Sequence, residues 1–198
     1  MCAAVAVMAS ASACTRPTVS GVYDRDQRAV IRLDDDHDAD GRIDVRTYFH
    51  AGHAERLEAD VNGDGQVDRW EYYDEAGRLV RLGRASAGDG REDTWVRQDG
   101  EVMRVDISTR RDGVIDRREV YQRDVLARIE LDTDRDGLPD EWQQFEGGRL
   151  RELRVDSAHL GRPDRRLVYA SNGSLERIEV DPDGDGRFVP QVPAEGTP

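Results

Sequence analysis

The chain has 198 residues, a net charge of −13, 36% charged residues and only 6% aromatics. That length fits one or two ordinary domains or one array of small units, and so few aromatics exclude a single thick apolar core. All 29 basic residues are Arg and none is Lys; the acidic excess excludes a nucleic-acid-binding face and charge-driven adhesion to an anionic membrane. The acids are clustered, as DDDHDADG, DVNGDG, DTDRDG and DPDGDG, which is the composition divalent cations require.

In chain order, residues 1–14, MCAAVAVMASASAC, read as the apolar part of a secretory signal. Ala11-Ser12-Ala13-Cys14 resembles a bacterial lipobox. The resemblance implies lipidation of Cys14 and an outer-membrane lipoprotein; a plain signal cleaved near Ala13, giving a secreted or periplasmic protein, is the other reading. Either way an extracytoplasmic location is expected. No apolar run reaches the roughly 20 residues of a membrane helix, so the membrane link expected is the lipid alone. Cys2 would leave with the signal, and no internal disulfide is expected. Residues 15–21 read as a linker, 22–187 as one repeat array, and 188–198 as a disordered, Pro-broken tail.

The array shows itself as a period. Acidic loops begin at Asp36, Asp60, Ala85, Ser108, Asp132, Asp156 and Asp181, with steps of 24, 25, 23, 24, 24 and 25 residues. Gly stands sixth in every loop (Gly41, Gly65, Gly90, Gly113, Gly137, Gly161, Gly186), and Asp stands ninth in all but the last. After each loop a short run leads to an aromatic such as Phe49, Tyr73 or Phe145, then a Gly-bearing turn, then a run that alternates. The returning runs put Leu57, Leu82, Val105, Ile129, Leu153 and Ile178 on one face and Arg and Glu on the other. Alternation over six or seven residues between Gly and Asp clusters is the pattern of half-buried strands. The expected fold is therefore all-β: an antiparallel meander of about seven 24-residue hairpins joined by DxDxDG loops. The competing all-α reading, EF-hand or dockerin-like, leaves about 12 residues per unit for helix, with Gly in the middle of most segments at about 1 kcal/mol each. Arg46 and Arg118 are expected to stack on Trp70 and Trp95 across neighbouring units.

Three stretches resemble known families. DTDRDGLPDEW at 132–142 resembles the bacterial thrombospondin type 3 calcium repeat, and DVNGDGQVDRWE at 60–71 is similar to an isolated EF-hand loop. WEYYDEAGRL at 70–79 resembles the YD repeats of Rhs-type proteins. Together these resemblances imply an extracytoplasmic, calcium-binding β-repeat protein.

Calcium takes six to eight oxygens, so a loop that holds it needs several carboxylates aimed at one point. Asp60, Asn62, Asp64, Asp68 and Glu71 occupy calcium-loop positions 1, 3, 5, 9 and 12, with the Gln66 carbonyl at position 7. Asp36, Asp38, Asp40 and Asp44 form a second set, and Asp132, Asp134, Asp136 and Asp140 a third, with Thr47 and Gln143 at position 12. Asp181, Asp183 and Asp185 form a fourth, with Val189 at position 9. Four bound Ca2+ ions would bring the net charge of −13 to about −5. The loops at 85, 108 and 156 lack this set. His50 and His53 read as solvated turn residues, and no nucleophile, phosphate-loop or dinucleotide motif is present. The expected role is non-catalytic: structural or adhesive, with a surface protein or polysaccharide as partner, or else a shell or immunity component of an Rhs-like secreted system.

Overall fold

The computed structural model describes residues 18–26 and 28–191. The expected signal and lipobox, Cys14 included, lie outside these residues. The described chain is all-β, a meander of fifteen antiparallel strands in one sheet whose spatial order equals the chain order. Seven hairpins make it up: β1 (Thr18–Tyr23) with β2 (Val30–Asp36), β3 (Val45–His50) with β4 (His53–Ala59), and β5 (Arg69–Tyr73) with β6 (Leu79–Arg84). Then follow β7 (Thr94–Asp99) with β8 (Val102–Ile107), β9 (Arg117–Gln122) with β10 (Val125–Leu131), β11 (Glu141–Glu146) with β12 (Arg149–Val155), and β13 (Arg165–Tyr169) with β14 (Leu175–Val180). A two-residue β15 (Val189–Pro190) ends the sheet. No helix occurs among the described residues, so the EF-hand-like all-α alternative does not hold.

Two boundaries move. The sheet begins at Thr18, inside the stretch expected to be linker, and ends at Pro190, inside the expected tail. Residues 18–21 pair with 33–36 in perfect alternation, and Val189 and Pro190 pair with Val180 and Glu179. Short edge strands of this kind carry little apolar signal in sequence.

Each strand touches only the strands before and after it, and β1 and β15 do not meet. The sheet is one open layer. The alternation seen in sequence becomes a straight row across it: Leu57, Glu71, Leu82, Val96, Val105, Glu119, Ile129, Gln143, Leu153, Leu167 and Ile178 are successive register partners. One layer cannot enclose this face. Among the described residues only Ala39, Ala59, Trp70 and Ile129 are buried apolar side chains, against thirteen buried polar or charged ones.

The opposite face corrects the expected stacking of Arg on Trp. In register, Glu58 stands between Arg46 and Trp70, and Asp106 between Trp95 and Arg118. Carboxylates on the returning strands therefore separate the two groups, and cationic side chains pair with acids or stack elsewhere. Arg56 lies over the Tyr48 ring at 4.3 Å and Arg81 over Tyr72 at 3.9 Å.

Two places in that row have no acid, Gly83 and Arg154. Gly83 sits between Trp70 and Trp95, and Glu92, from the following loop, fills the space above it. Its carboxylate accepts the Tyr72 hydroxyl at 2.6 Å and the Trp95 indole N–H at 2.7 Å, with Arg81 3.7 Å away. A Cβ at residue 83 would overlap that carboxylate. Gly83→Ala is expected to expel Glu92 and destabilise the sheet by about 1–3 kcal/mol. Urea unfolding followed by Trp fluorescence measures this, and Glu92→Gln, which keeps the packing, should cost less.

Candidate metal centres

All seven acidic loops lie on one edge of the sheet, because every hairpin turn lies on the other. Two strands separate consecutive loops, which sets a pitch of about 10 Å. The loops span 36–44, 60–68, 85–93, 108–116, 132–140, 156–164 and 181–189, and are numbered 1 to 7. The backbone chains them together. The position-1 N–H of each later loop donates to the position-9 carbonyl of the loop before, from Asp60 to Asp44 (2.8 Å) through Asp181 to Asp164 (2.9 Å).

The loop shape is the same throughout. The sixth-position glycines have φ between +72° and +94°, the left-handed region that a side chain resists. The fourth position is left-handed too, and in loops 1, 4, 5 and 6 it is not glycine: Ala39, Arg111, Arg135 and His159 have φ of 62°, 58°, 70° and 53°. Such a turn points several backbone N–H groups inward, and these need acceptors.

Positions 1 and 9 supply them. Asp60 Oδ2 accepts the Gly65 N–H (2.6 Å) and its Oδ1 the Gly63 N–H (2.8 Å); Asp132 and Asp181 repeat the pattern. In loop 4 the Ser108 hydroxyl takes over, accepting the Gly113 N–H at 3.2 Å. From the other side Asp44, Asp68, Asp93, Asp116, Asp140 and Asp164 each accept the N–H at position 2. Where position 2 is Ser or Thr the hydroxyl donates as well, as Thr133 does to Asp140 at 2.6 Å. Of these aspartates, Asp93, Asp116 and Asp140 are buried, Asp93 at 1% and Asp140 at 5% exposed, as is Asp156 at position 1 (2%), while Asp44, Asp68 and Asp164 are half-buried.

The hydrogen bonds hold two of these acids, Asp140 and Asp156, ionised. Burial raises the carboxyl of Asp140, but the Thr133 hydroxyl and N–H, His159 and the Asp134 N–H outweigh it and pull the pKa down to about 2. Burial acts the same way on Asp156, and the N–H groups of Leu160, Arg162, Gly161 and Ala158 converge to hold it below the usual carboxylate range.

Asp44, Asp68 and Asp140 are thus committed first to the loop backbone. The carboxylates that converge within a single loop are at positions 1, 3 and 5. Oxygens of Asp36, Asp38 and Asp40 come within 4.8 Å of one another, as do those of Asp132, Asp134 and Asp136, and of Asp181, Asp183 and Asp185. In loop 2 the Asn62 amide replaces the middle carboxylate; its Oδ1 accepts the Asp64 N–H (2.8 Å) and its Nδ2 donates to Asp68 (3.3 Å). Gln66 donates its N–H to Asp64 Oδ1 and lays its side chain over Gly90 of loop 3. Loop 1 has a further feature. Asp36 Oδ2 accepts the Gly41 N–H, while its buried Oδ1 has no hydrogen-bond partner. Asp156 Oδ1 in loop 6 also has no partner at hydrogen-bond geometry, but Ala158 and Leu160 leave it without companion carboxylates.

Glu71 is not part of its loop. It stands in β5 between Leu57 and Leu82, and its carboxylate takes Arg69 and the Tyr73 hydroxyl. Burial and this acceptor push the Tyr73 phenol up to about 12. The strand's period of two turns position 12 onto the sheet face, where an EF-hand helix would turn it toward the ion.

Links between loops were not evident in the sequence. Arg42 donates to the Gly63 carbonyl (3.1 Å), Arg162 to Gly184 (2.5 Å) and Arg135 to Asp112 (2.5 Å). His159 of loop 6 places Nδ1 2.9 Å from Asp134 and 2.7 Å from Asp140 of loop 5, and these contacts, Asp140 first, raise its pKa. All five pairs are 19 to 25 residues apart, so the repeat period itself was the available signal.

No protein-family model matches the chain, and no curated protein matches it either. Partial likenesses exist to two solved structures. The S. aureus TarM G117R mutant in complex with fondaparinux, alpha-GlcNAc-glycerol and UDP is 13% identical, with a TM-score of 0.34 over 54% of this chain and 19% of that one. A second crystal structure of TarM is 12% identical, with a TM-score of 0.27 over 51% of this chain and 18% of that one. The chain spans less than a fifth of these structures, and so slight a likeness carries no argument.

Two outcomes follow from the loop geometry. Asp93→Ala strands the Ser86 N–H and hydroxyl, and is expected to cost about 1–3 kcal/mol for each donor left unpaired. Thermal melts should show the same loss with and without chelator, since loop 3 lacks acids at positions 1 and 3. For Asp140 the folded-state pKa is depressed, so its contribution is complete above the ordinary value of 3.8 and lost as pH falls toward about 2. Urea midpoints measured from pH 5 to 2 should fall less steeply in Asp140→Asn than in the parent chain.

Proposed function

We propose that the chain is a non-catalytic, extracytoplasmic calcium-binding repeat protein with a structural or adhesive role, its ions held by loops 1, 2, 5 and 7. The observation that carries this reading is a contrast between loops. Loops 3, 4 and 6 take the same turn, with the same left-handed residues and the same position-9 cap, without a full set of acids at positions 1, 3 and 5. Those acids are therefore not required to build the loop. In loops 1, 5 and 7 they nonetheless converge within 4.8 Å, where two like charges about 4 Å apart cost roughly 4 kcal/mol at an effective dielectric of 20. A divalent cation removes that cost, and the buried, unpartnered Oδ1 of Asp36 beside Asp38 and Asp40 fits its first ligand position.

The ligand set favours calcium over magnesium, since carboxylates and a loop carbonyl form a flexible all-oxygen shell. Without a position-12 acid each shell keeps room for water, which places affinity in the weak range of about 10⁻⁴–10⁻³ M characteristic of extracellular modules. Calorimetric titration is expected to give four equivalents in that range. At about 10 mM calcium each ion should then add about 1.4–2.7 kcal/mol of stability. Position 3 separates ion binding from folding. Asp38→Ala, Asp134→Ala and Asp183→Ala, which put at position 3 the residue loop 6 carries there as Ala158, should each remove one calcium equivalent while leaving the calcium-free chain about as stable as before. No heat of binding and no shift in melting temperature with calcium would refute the reading.

A further inference from the structure

We propose that His159 turns the junction of loops 5 and 6 into a separate site for a borderline divalent cation such as zinc, formed by His159 Nδ1, Asp134 Oδ2 and Asp140 Oδ1. The three atoms lie within 4.8 Å of one another, with Nδ1 2.9 Å and 2.7 Å from the two oxygens. The inference goes beyond calcium binding, because it assigns a different ion to a different set of atoms.

The donors differ from those of every other loop. Loops 1, 2 and 7 offer a cation only oxygen, the preference of a hard ion. Here an imidazole nitrogen joins two carboxylates, the mixed set that suits Zn2+ with three protein ligands and one open position. Loop 6 has no acids of its own at positions 3 and 5, where Ala158 and Leu160 stand, and its position 4 is the only one of the seven occupied by His. That residue accepts a left-handed φ of 53° and directs its ring into the neighbouring loop.

The supporting shell is in place. Asp140 is 5% exposed, and its Oδ2 is held by the Thr133 N–H (2.6 Å), the Thr133 hydroxyl (2.6 Å) and the Asp134 N–H (3.2 Å). Those bonds fix the carboxylate and leave Oδ1 for the junction, the arrangement by which outer-shell donors orient metal ligands. Zinc–ligand bonds of about 2.0–2.1 Å require tetrahedral ligand spacings of about 3.3 Å. The present gaps therefore need to open by roughly 0.5 Å, which the half-exposed His159 can supply by rotating. On binding, the ring's Nδ1 proton passes to solvent and the nitrogen lone pair goes to the metal. Because Asp134 also belongs to the Asp132–Asp134–Asp136 set, zinc here and calcium in loop 5 exclude each other.

The test uses the whole chain, stripped with chelator and titrated with ZnCl2 by calorimetry and with Co2+ by visible absorption. One equivalent is expected, with the intense d–d bands of a tetrahedral cobalt site. His159→Asn, checked for unchanged sheet content by circular dichroism, should weaken zinc binding at least about tenfold while leaving calcium uptake by loops 1, 2 and 7 intact. A His50→Asn/His53→Asn double variant, which alters the one pair of histidines close in sequence, should bind zinc like the parent. The proposal is overturned by absence of zinc uptake, by equal affinity in His159→Asn, or by loss of binding in the double variant. Displacement of one calcium equivalent by saturating zinc tests the shared Asp134; this arm and the calcium-uptake control depend on calcium binding, and the zinc and cobalt titrations do not.

Discussion

The structure depends on burying aspartates against backbone N–H groups. A one-layer sheet in which every strand meets only its chain neighbours has nowhere to hide a large apolar face, and among the described residues four buried apolar side chains do what little enclosure there is. Order is fixed instead at the loops. Each turn with two left-handed residues gathers inward N–H groups, and the carboxylates at positions 1 and 9 accept them from opposite sides. A buried carboxylate without such partners would be costly; with three or four it is held ionised, as the depressed pKa values of Asp140 and Asp156 show. Because the position-1 N–H of one loop also rests on the position-9 carbonyl of the last, strand spacing and loop geometry are set together.

The same constraint favours arginine on the Trp-bearing face. On the Trp-bearing face a cationic group must pair with a neighbouring acid and cover an aromatic ring at once. Arg56 does both, lying 4.3 Å over Tyr48 and 3.1 Å from Glu58; Arg81 lies over Tyr72 and faces Glu92. A planar guanidinium offers its flat face for stacking and its edge for hydrogen bonds, and a lysine ammonium cannot divide itself in that way. Glu92 belongs to this logic. Where Gly83 breaks the file of acids, the following loop contributes one, and the tyrosine, tryptophan and arginine around it are satisfied from outside the strand.

Much of this was legible from the residues. Period-2 alternation at Leu57, Leu82, Val105, Ile129, Leu153 and Ile178 located a face that the register then places in one row, and the 24-residue spacing located the loops. Relations between units were not legible. Whether Arg46 meets Trp70 or Glu58 depends on register, which single strands do not state. Glu71 matched a calcium-loop pattern by count alone, and strand geometry points it at Arg69 and Tyr73. The partners of His159 are a repeat away, so no local motif marks them.

The seven loops separate two tasks that a calcium loop usually merges. Position 6, position 9 and an acceptor at position 1 shape the turn; Ser108 suffices for the last of these, and Ala85 shows that even it is dispensable where Ser86 and Asp93 are firmly joined. Positions 3 and 5 vary without disturbing the sheet: carboxylates in loops 1, 5 and 7, an amide in loop 2, Arg110 in loop 4, Ala158 in loop 6. Substitution there changes the charge presented along the edge, not the fold beneath it. An array built this way can vary the charge it presents from loop to loop at constant architecture, since positions 3 and 5 change while positions 6 and 9 keep the turn.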